Sequence, residues 1–529
     1  MSATPSSTPS LHPLRQLGFA ELQRKIAGGE VSSAEVTQAL LDGIDSIQPT
    51  LAAYTHVYRR RAIEEARAAD ARRSKGEAKS PWDGVPISLK ESIATEGDEM
   101  TLGLPAYKGR KAAADAVLAA IVKEAGCVIL GKTNLSQAML FHESRNPLFG
   151  QAANPWDTGR TPGGSSGGEA AAIAAYASPG GFGTDIGGSI RVPAHFTGTV
   201  GLKPTVDRIS NLGLGSGIPG QEVIRGQIGP MARSVEDLVA LLELVSPEKC
   251  AARDPRVPGL PIGDPNALKA DKLRIGWFVS DHVVEPSAAC QRAVREAKDA
   301  LEAAGCEMVE IEPAITEELI FTYLSALSAD GGKTLTAVLA GGEIDSSLTL
   351  LLRMVSMPRA ARKAAALALG VAGERIAGRT LEAVGEKSVR ELWAITKRCR
   401  EIQADVFAHW RHRELDAVIC PPFATPALTH RASRDFSIAG ALAFRYNLLD
   451  FPAGSVPVTR VHSDEVTRSR RRQRHERRAS SIDRDSVGLP VGVQVAALPR
   501  REDKVLRVMG LIERAFADRD ELRELPPLD

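Results

Sequence analysis

Gly126-Cys127-Val128-Ile129-Leu130-Gly131-Lys132-Thr133 admits two readings, and the choice between them sets the fold. As G-x-x-x-x-G-K-T it fits a phosphate-binding loop, which needs a strand before the glycines and a helix after them. Here the order is reversed. The apolar run from Ala116 reads as a helix, Gly126 as its stop, and Cys127 to Leu130 as a buried strand. The same swing recurs as a strand over Ile275 to Val279, a helix over Ser287 to Ala304, a stop at Gly305 and a strand over Met308 to Ile311. Strands alternating with helices predict an α/β fold, a mixed central sheet surrounded by helices.

Outward from this stretch, Ser32 and Glu35 form an S-x-x-E capping box before Val36, Leu40, Leu41 and Ile44. Residues 1–14, rich in Ser, Thr and Pro, read as a disordered tail without the apolar core of a signal peptide. Leu351 to Leu381, mostly Ala, Leu and Arg, reads as an amphipathic helical hairpin, and Val389 to Arg413 as a helix leading to a strand over Ala417 to Cys420. Seven arginines crowd into Arg468–Arg478, within a basic stretch (463–485) expected to be a disordered surface insertion between two strands. The chain of 529 residues carries a formal net charge of +1, so no global field draws it to nucleic acid or to an anionic membrane. Six scattered cysteines lack any CxxC spacing, which argues against a zinc ribbon or a disulfide framework and fits a reducing, cytoplasmic setting. No apolar run reaches the roughly 18 residues of a membrane span.

Glycine concentrates between Asn154 and Pro204. Gly163-Gly164-Ser165-Ser166-Gly167 matches the nucleophile-elbow pattern G-x-S-x-G, but the polar, proline-containing residues before it do not read as the strand that motif needs. Lys90 closes the apolar stretch Gly84-Val85-Pro86-Ile87-Ser88-Leu89-Lys90, either as an edge-strand lysine reaching solvent or as a buried amine. Gly187-Gly188 before Ser189 offers unobstructed backbone N–H groups, the material of an oxyanion hole or of a simple turn.

Taken together, Gly84–Lys90, Gly163–Gly168 and Gly183-Thr184-Asp185-Ile186-Gly187-Gly188-Ser189-Ile190-Arg191 resemble the amidase signature family. The resemblance implies one large catalytic domain (residues 15–529) with a Ser–Ser–Lys triad: Ser189 as nucleophile, Ser165 as bridging serine in cis-peptide linkage, and Lys90 as base. It implies Ile186, Gly187, Gly188 and Ser189 as backbone donors of the oxyanion hole, with Thr184, Asp185, Arg191 and Met139 in support. Asp185 and Arg191 read as an ion pair bracing the Ser189 loop. Bringing a lysine from about 10.4 to about 7–8 costs about 4 kcal/mol, and burial without a carboxylate partner supplies that sign.

Ser144-Arg145-Asn146-Pro147-Leu148-Phe149-Gly150-Gln151, Tyr446-Asn447-Leu448-Leu449-Asp450-Phe451-Pro452 and Ser486-Val487-Gly488-Leu489-Pro490 are similar to the fatty acid amide hydrolase branch. The implied activity is hydrolysis of fatty acid amides or related N-acyl amines through an acyl-enzyme, with no cofactor and no metal. The implied partner is a small amide with an apolar acyl chain. Peripheral membrane contact through a cap at residues 353–380, and assembly as a homodimer, are further expectations from the same branch. The alternatives are a general aryl or aliphatic amidase, or a glutamyl-tRNA(Gln) amidotransferase subunit, for which the arginine run would contact RNA. His409 and His412, one turn apart, read as a solvated helix face, and His142 and His195 as hydrogen-bonded core or pocket-wall residues.

Overall fold

The computed structural model describes residues 11–313, 315–469 and 472–527. Eleven strands of these residues form one mixed sheet. In chain order they are β1 (Tyr54–Val57), β2 (Pro86–Lys90), β3 (Val128–Thr133), β4 (Gly180–Asp185), β5 (Val200–Lys203), β6 (Gln227–Ala232), β7 (Arg274–Trp277), β8 (Glu307–Glu310), β9 (Ala417–Cys420), β10 (Ala453–Arg460) and β11 (Pro490–Ala497). Across the sheet they run β1-β3-β2-β4-β6-β5-β10-β11-β9-β7-β8. β3, β2 and β4 are mutually parallel, as are β9, β7 and β8, while the strands between pair antiparallel.

The quoted stretch is a strand. Gly126, with φ of 86°, ends the helix Val117–Glu124, and every residue of β3 is buried between sheet neighbours and helices. The capping box forms at Ser32 and Glu35 and heads the helix Ser33–Leu51. The helical hairpin is present as Arg359–Val371 followed by Arg375–Ala383.

Two boundaries differ from expectation. Residues 1–10 lie outside the described residues, but Pro13 and Leu14 belong to a helical turn, Pro13–Gln16, so the tail does not extend to residue 14. The Arg15 guanidinium holds that turn by donating to the carbonyls of Ala175 and Tyr176. The basic stretch between β10 and β11 is folded rather than disordered. Gln473 and Glu476 cap a helix over Arg474–Asp483; Arg477 pairs with Glu374 at 3.0 Å, Arg478 with Asp435 at 3.1 Å, and Arg468 with Asp483. Arginines that would repel one another as a run are separated by helical spacing and matched with Asp483 of the same stretch and with carboxylates from two other segments. Arg470 and Arg471 of that run lie outside the described residues.

This sheet positions the chemistry because β2 and β4 are adjacent and parallel, so Lys90 and Asp185 emerge together at their carboxyl ends. Ligand sites of open α/β sheets gather at that end. The close approach requires glycine: a Cβ at Gly181 would fall inside contact distance of the Glu169 carboxylate and the Ser88 carbonyl. Gly181→Ala is expected to lower stability by about 1–3 kcal/mol through overpacking. Gly370→Ala, on an exposed helical face with open space around it, should raise stability by about 0.5–1 kcal/mol. Urea midpoints of the two variants check both signs.

Candidate active site

Lys90 is fully buried, which excludes the solvent-reaching reading. Its Nζ lies 2.7 Å from Ser165 Oγ, 2.9 Å from Ser166 Oγ and 2.8 Å from Thr184 Oγ1. Three hydroxyl neighbours suit both protonation states of an amine. An ammonium donates to all three; a neutral amine donates to two and accepts from the third, since a hydroxyl can do either. Burial pulls the Lys90 amine down to about 7, against the opposing pull of Asp185, Glu169 and Glu91, none of which forms an ion pair with it. Glu169, in the first turn of the helix Gly167–Ala174, is buried with Ser88 and Thr133 donating to its two oxygens, and burial pushes it up to about 7.

Ser165 and Ser166 sit in the loop that leads into that helix, with the Gly164–Ser165 peptide cis. Ser166 was not singled out from the sequence, yet it ties the site together. Its Oγ contacts Lys90, its N–H donates to the Ser189 carbonyl at 3.2 Å, and the Thr184 N–H donates to its Oγ at 3.2 Å. The only signal was the doubled serine of G-G-S-S-G, which marks two hydroxyls without ranking them.

Ser189 lies in the loop from β4 to the helix Arg191–Thr197 and lines, with Ser165, Thr184 and Ile186, a cavity of about 250 Å³. Met139, Leu140, Leu214 and Ile218 make apolar wall, and the half-buried Met139 brings Sδ to 4.0 Å from Thr184 Oγ1. Ile186, Gly187 and Ser189 have backbone N–H groups with no hydrogen-bond acceptor among the described residues. Gly188 differs from expectation: its N–H donates to Asp185 Oδ1 at 2.8 Å, so it is committed to the carboxylate rather than open to a ligand.

Asp185 and Arg191 form the expected pair, both fully buried, at 2.9 and 3.0 Å. The carboxylate also accepts from Ile190 N–H and Asn447 Nδ2, while Arg191 donates to Asn447 Oδ1, Gln494 Oε1 and the Ala443 carbonyl. Arg191 and these donors outweigh desolvation and hold Asp185 well below the usual carboxylate range. His195 is a core residue, bonded to the Thr425 carbonyl and the Gly492 N–H. His142 is buried against the site, with Nε2 2.8 Å from the Gly187 carbonyl.

Asp185→Ala strands a buried guanidinium and releases two backbone donors of the Ser189 loop. A destabilisation of about 3–5 kcal/mol is expected, to be read by chemical denaturation.

The amidase family model matches residues 35–506. Fatty-acid amide hydrolase 1 from Sus scrofa is 39% identical over 82% of this chain and 76% of its own length. A glutamyl-tRNA(Gln) amidotransferase subunit from Myxococcus xanthus is 37% identical over 61% of this chain and 66% of its own length. A solved structure of fatty acid amide hydrolase superposes with a TM-score of 0.84, at 24% identity, over 96% of this chain and 87% of that one.

Proposed function

The chain belongs to the amidase family and is a hydrolase acting on amides; we propose that it cleaves fatty acid amides or related N-acyl amines with Ser189 as nucleophile, Ser165 as proton relay and Lys90 as base. The observation that carries this reading is the buried Lys90 amine, held near neutrality and hydrogen-bonded to hydroxyls rather than to a carboxylate. Such an amine takes a proton at neutral pH, which an exposed lysine does not.

In the proposed reaction Ser189 Oγ attacks the amide carbonyl, its proton passes to Ser165 Oγ, and the Ser165 proton passes to Lys90 Nζ. The carbonyl oxygen becomes an oxyanion that takes the open N–H groups of the Ile186–Ser189 loop as donors. Collapse breaks the C–N bond while the proton returns from Lys90 through Ser165 to the leaving nitrogen. Water then attacks the acyl-Ser189 ester by the same relay and releases the acid. The apolar wall of Met139, Leu140, Leu214 and Ile218 supports an apolar acyl group. The fatty-acid amide hydrolase relative, which covers 82% of the chain, supports this over the amidotransferase reading at 61%.

Among the described residues no helix is long and apolar enough to cross a membrane. The helix Arg359–Val371 still carries an exposed stripe, with Arg359 and Lys363 at one end and Leu367 and Val371, 71% and 84% exposed, at the other. That stripe supports docking of the cap on a lipid surface.

Ser189→Ala should abolish turnover and labelling by a fluorophosphonate; stoichiometric labelling of that variant at another serine would sink the assignment. In the wild type, kcat/KM for an N-acyl amide should rise with pH through about 7, because only neutral Lys90 accepts the proton. Lys90→Ala should lose that limb along with most amide cleavage, as a pH–rate profile reads directly. Flotation with anionic liposomes should fall in Leu367→Asp/Val371→Asp, and undiminished flotation would refute the cap proposal.

A further inference from the structure

Three aromatic rings stand in a stack behind the Ser189 loop. Tyr323, on the helix Thr316–Leu327, lies 4.7 Å from the Phe444 ring at an interplanar angle of 9°. His142 also stacks on Phe444, at 5.7 Å and 22°. All three side chains are buried. Tyr323 and His142 each reach the loop: the Tyr323 hydroxyl donates to the Ile186 carbonyl at 3.0 Å, and His142 Nε2 lies 2.8 Å from the Gly187 carbonyl. A carbonyl only accepts, so Nε2 carries the hydrogen, and burial keeps the ring neutral by lowering its pKa.

Successive carbonyls of one loop are thus held by two rings that share Phe444 as a stacking partner. The Ile186–Gly187 peptide is trans, so its N–H points opposite to its carbonyl. Tyr323 is not part of the cavity wall, whereas Ile186 is. With the Ile186 carbonyl held by Tyr323, the Gly187 N–H of the same peptide points away from Tyr323. The next peptide is fixed at both ends, its carbonyl by His142 and its N–H by Asp185. The loop lies so close to the rings that Gly187 has no room for a side chain: a Cβ there would meet the Tyr323 hydroxyl at 2.5 Å and Phe444 at 3.3 Å.

We propose that Tyr323 and His142, both stacked on Phe444, are positioning residues that aim the Gly187 N–H at the oxyanion formed on the substrate. A donor to a peptide carbonyl also polarises that peptide and strengthens its N–H as a donor in turn. Neither side chain touches the reacting atoms; both act through the loop. The inference rests on Ser189 being the nucleophile.

Tyr323→Phe keeps the ring and its stack and removes only the donor. With an N-acyl amide, kcat should fall about five- to tenfold while KM stays within about twofold, the size of one neutral hydrogen bond felt in the transition state. Affinity for a trifluoromethyl ketone, which adds to the nucleophile as a tetrahedral mimic, should fall by the same factor. A purely structural tyrosine would move the melting temperature and leave ketone affinity alone. Unchanged kcat and ketone affinity in folded Tyr323→Phe overturn the role of Tyr323. His142→Gln keeps a donor for Gly187 and should retain more kcat than His142→Leu; equal values overturn the role of His142, and this pair carries the test if Tyr323→Phe does not fold. Ketone adduct formation by Ser189→Ala would instead overturn the nucleophile assignment.

Discussion

A lysine amine sealed inside the sheet is the constraint on which the rest of the structure depends. Burying an ammonium without a partner is costly, so the surroundings must either supply a counter-charge or let the group become neutral. Here they do the second. β2 delivers Lys90, β4 delivers Thr184, and the loop before the helix Gly167–Ala174 delivers Ser165 and Ser166, all within hydrogen-bond reach of one nitrogen. Asp185 lies close enough to favour the charged form, but Arg191 occupies both of its oxygens. The buried ion pair therefore acts on Lys90 indirectly: it keeps the nearby carboxylate from becoming the lysine's partner.

The same carboxylate shapes the Ser189 loop. Asp185 binds the N–H groups of Gly188 and Ile190 and, through Arg191 and Asn447, reaches Gln494 on β11. Residues 185–191 are thereby locked to residues 443–494, across the centre of the sheet, and the loop carrying Ser189 cannot move without breaking a buried charge network. With Asp185 taking the Gly188 N–H and aromatic donors taking the Ile186 and Gly187 carbonyls, the N–H groups of Ile186, Gly187 and Ser189 are left open.

Much of this was legible in the sequence, and for identifiable reasons. Gly126 after a helix and before four apolar residues favoured a helix stop and a buried strand over a phosphate loop, and β3 is that strand. Lys90, Ser165 and Ser189 stood in long ordered motifs, and the Asp185–Arg191 pair followed from opposite charges bracketing one loop. What escaped was long-range. Tyr323 and Phe444 are 121 residues apart and sit in helices whose apolar spacing reads as ordinary core. The short edge strand Tyr54–Val57 has no alternation of its own and exists because β3 pairs with it. The arginine run looked like solvated charge because its carboxylates, Glu374 and Asp435, lie 100 and 39 residues before Arg474.

The division of labour between rigid chemistry and adaptable recognition follows from the same topology. Lys90 hangs from a strand end, and Ser165 and Ser189 from the short loops that lead into two buried helices. The cavity wall comes instead from irregular backbone: Ala138 and Met139 both have positive φ, of 55° and 58°, and the facing Leu212–Gln221 segment lies outside helices and strands. That wall is also fastened to the segment that precedes the helical hairpin. Gln137 Nε2 donates to the Glu343 carbonyl, the Asp345 N–H donates to Gln137 Oε1, and Arg145 pairs with Asp345 at 3.2 Å, just ahead of the helix Ser346–Ser356 that leads into the hairpin. A substitution at Glu343–Asp345 can therefore reshape the apolar wall without touching Lys90 or Asp185, whereas one in the strands reaches Lys90 before it reaches the wall.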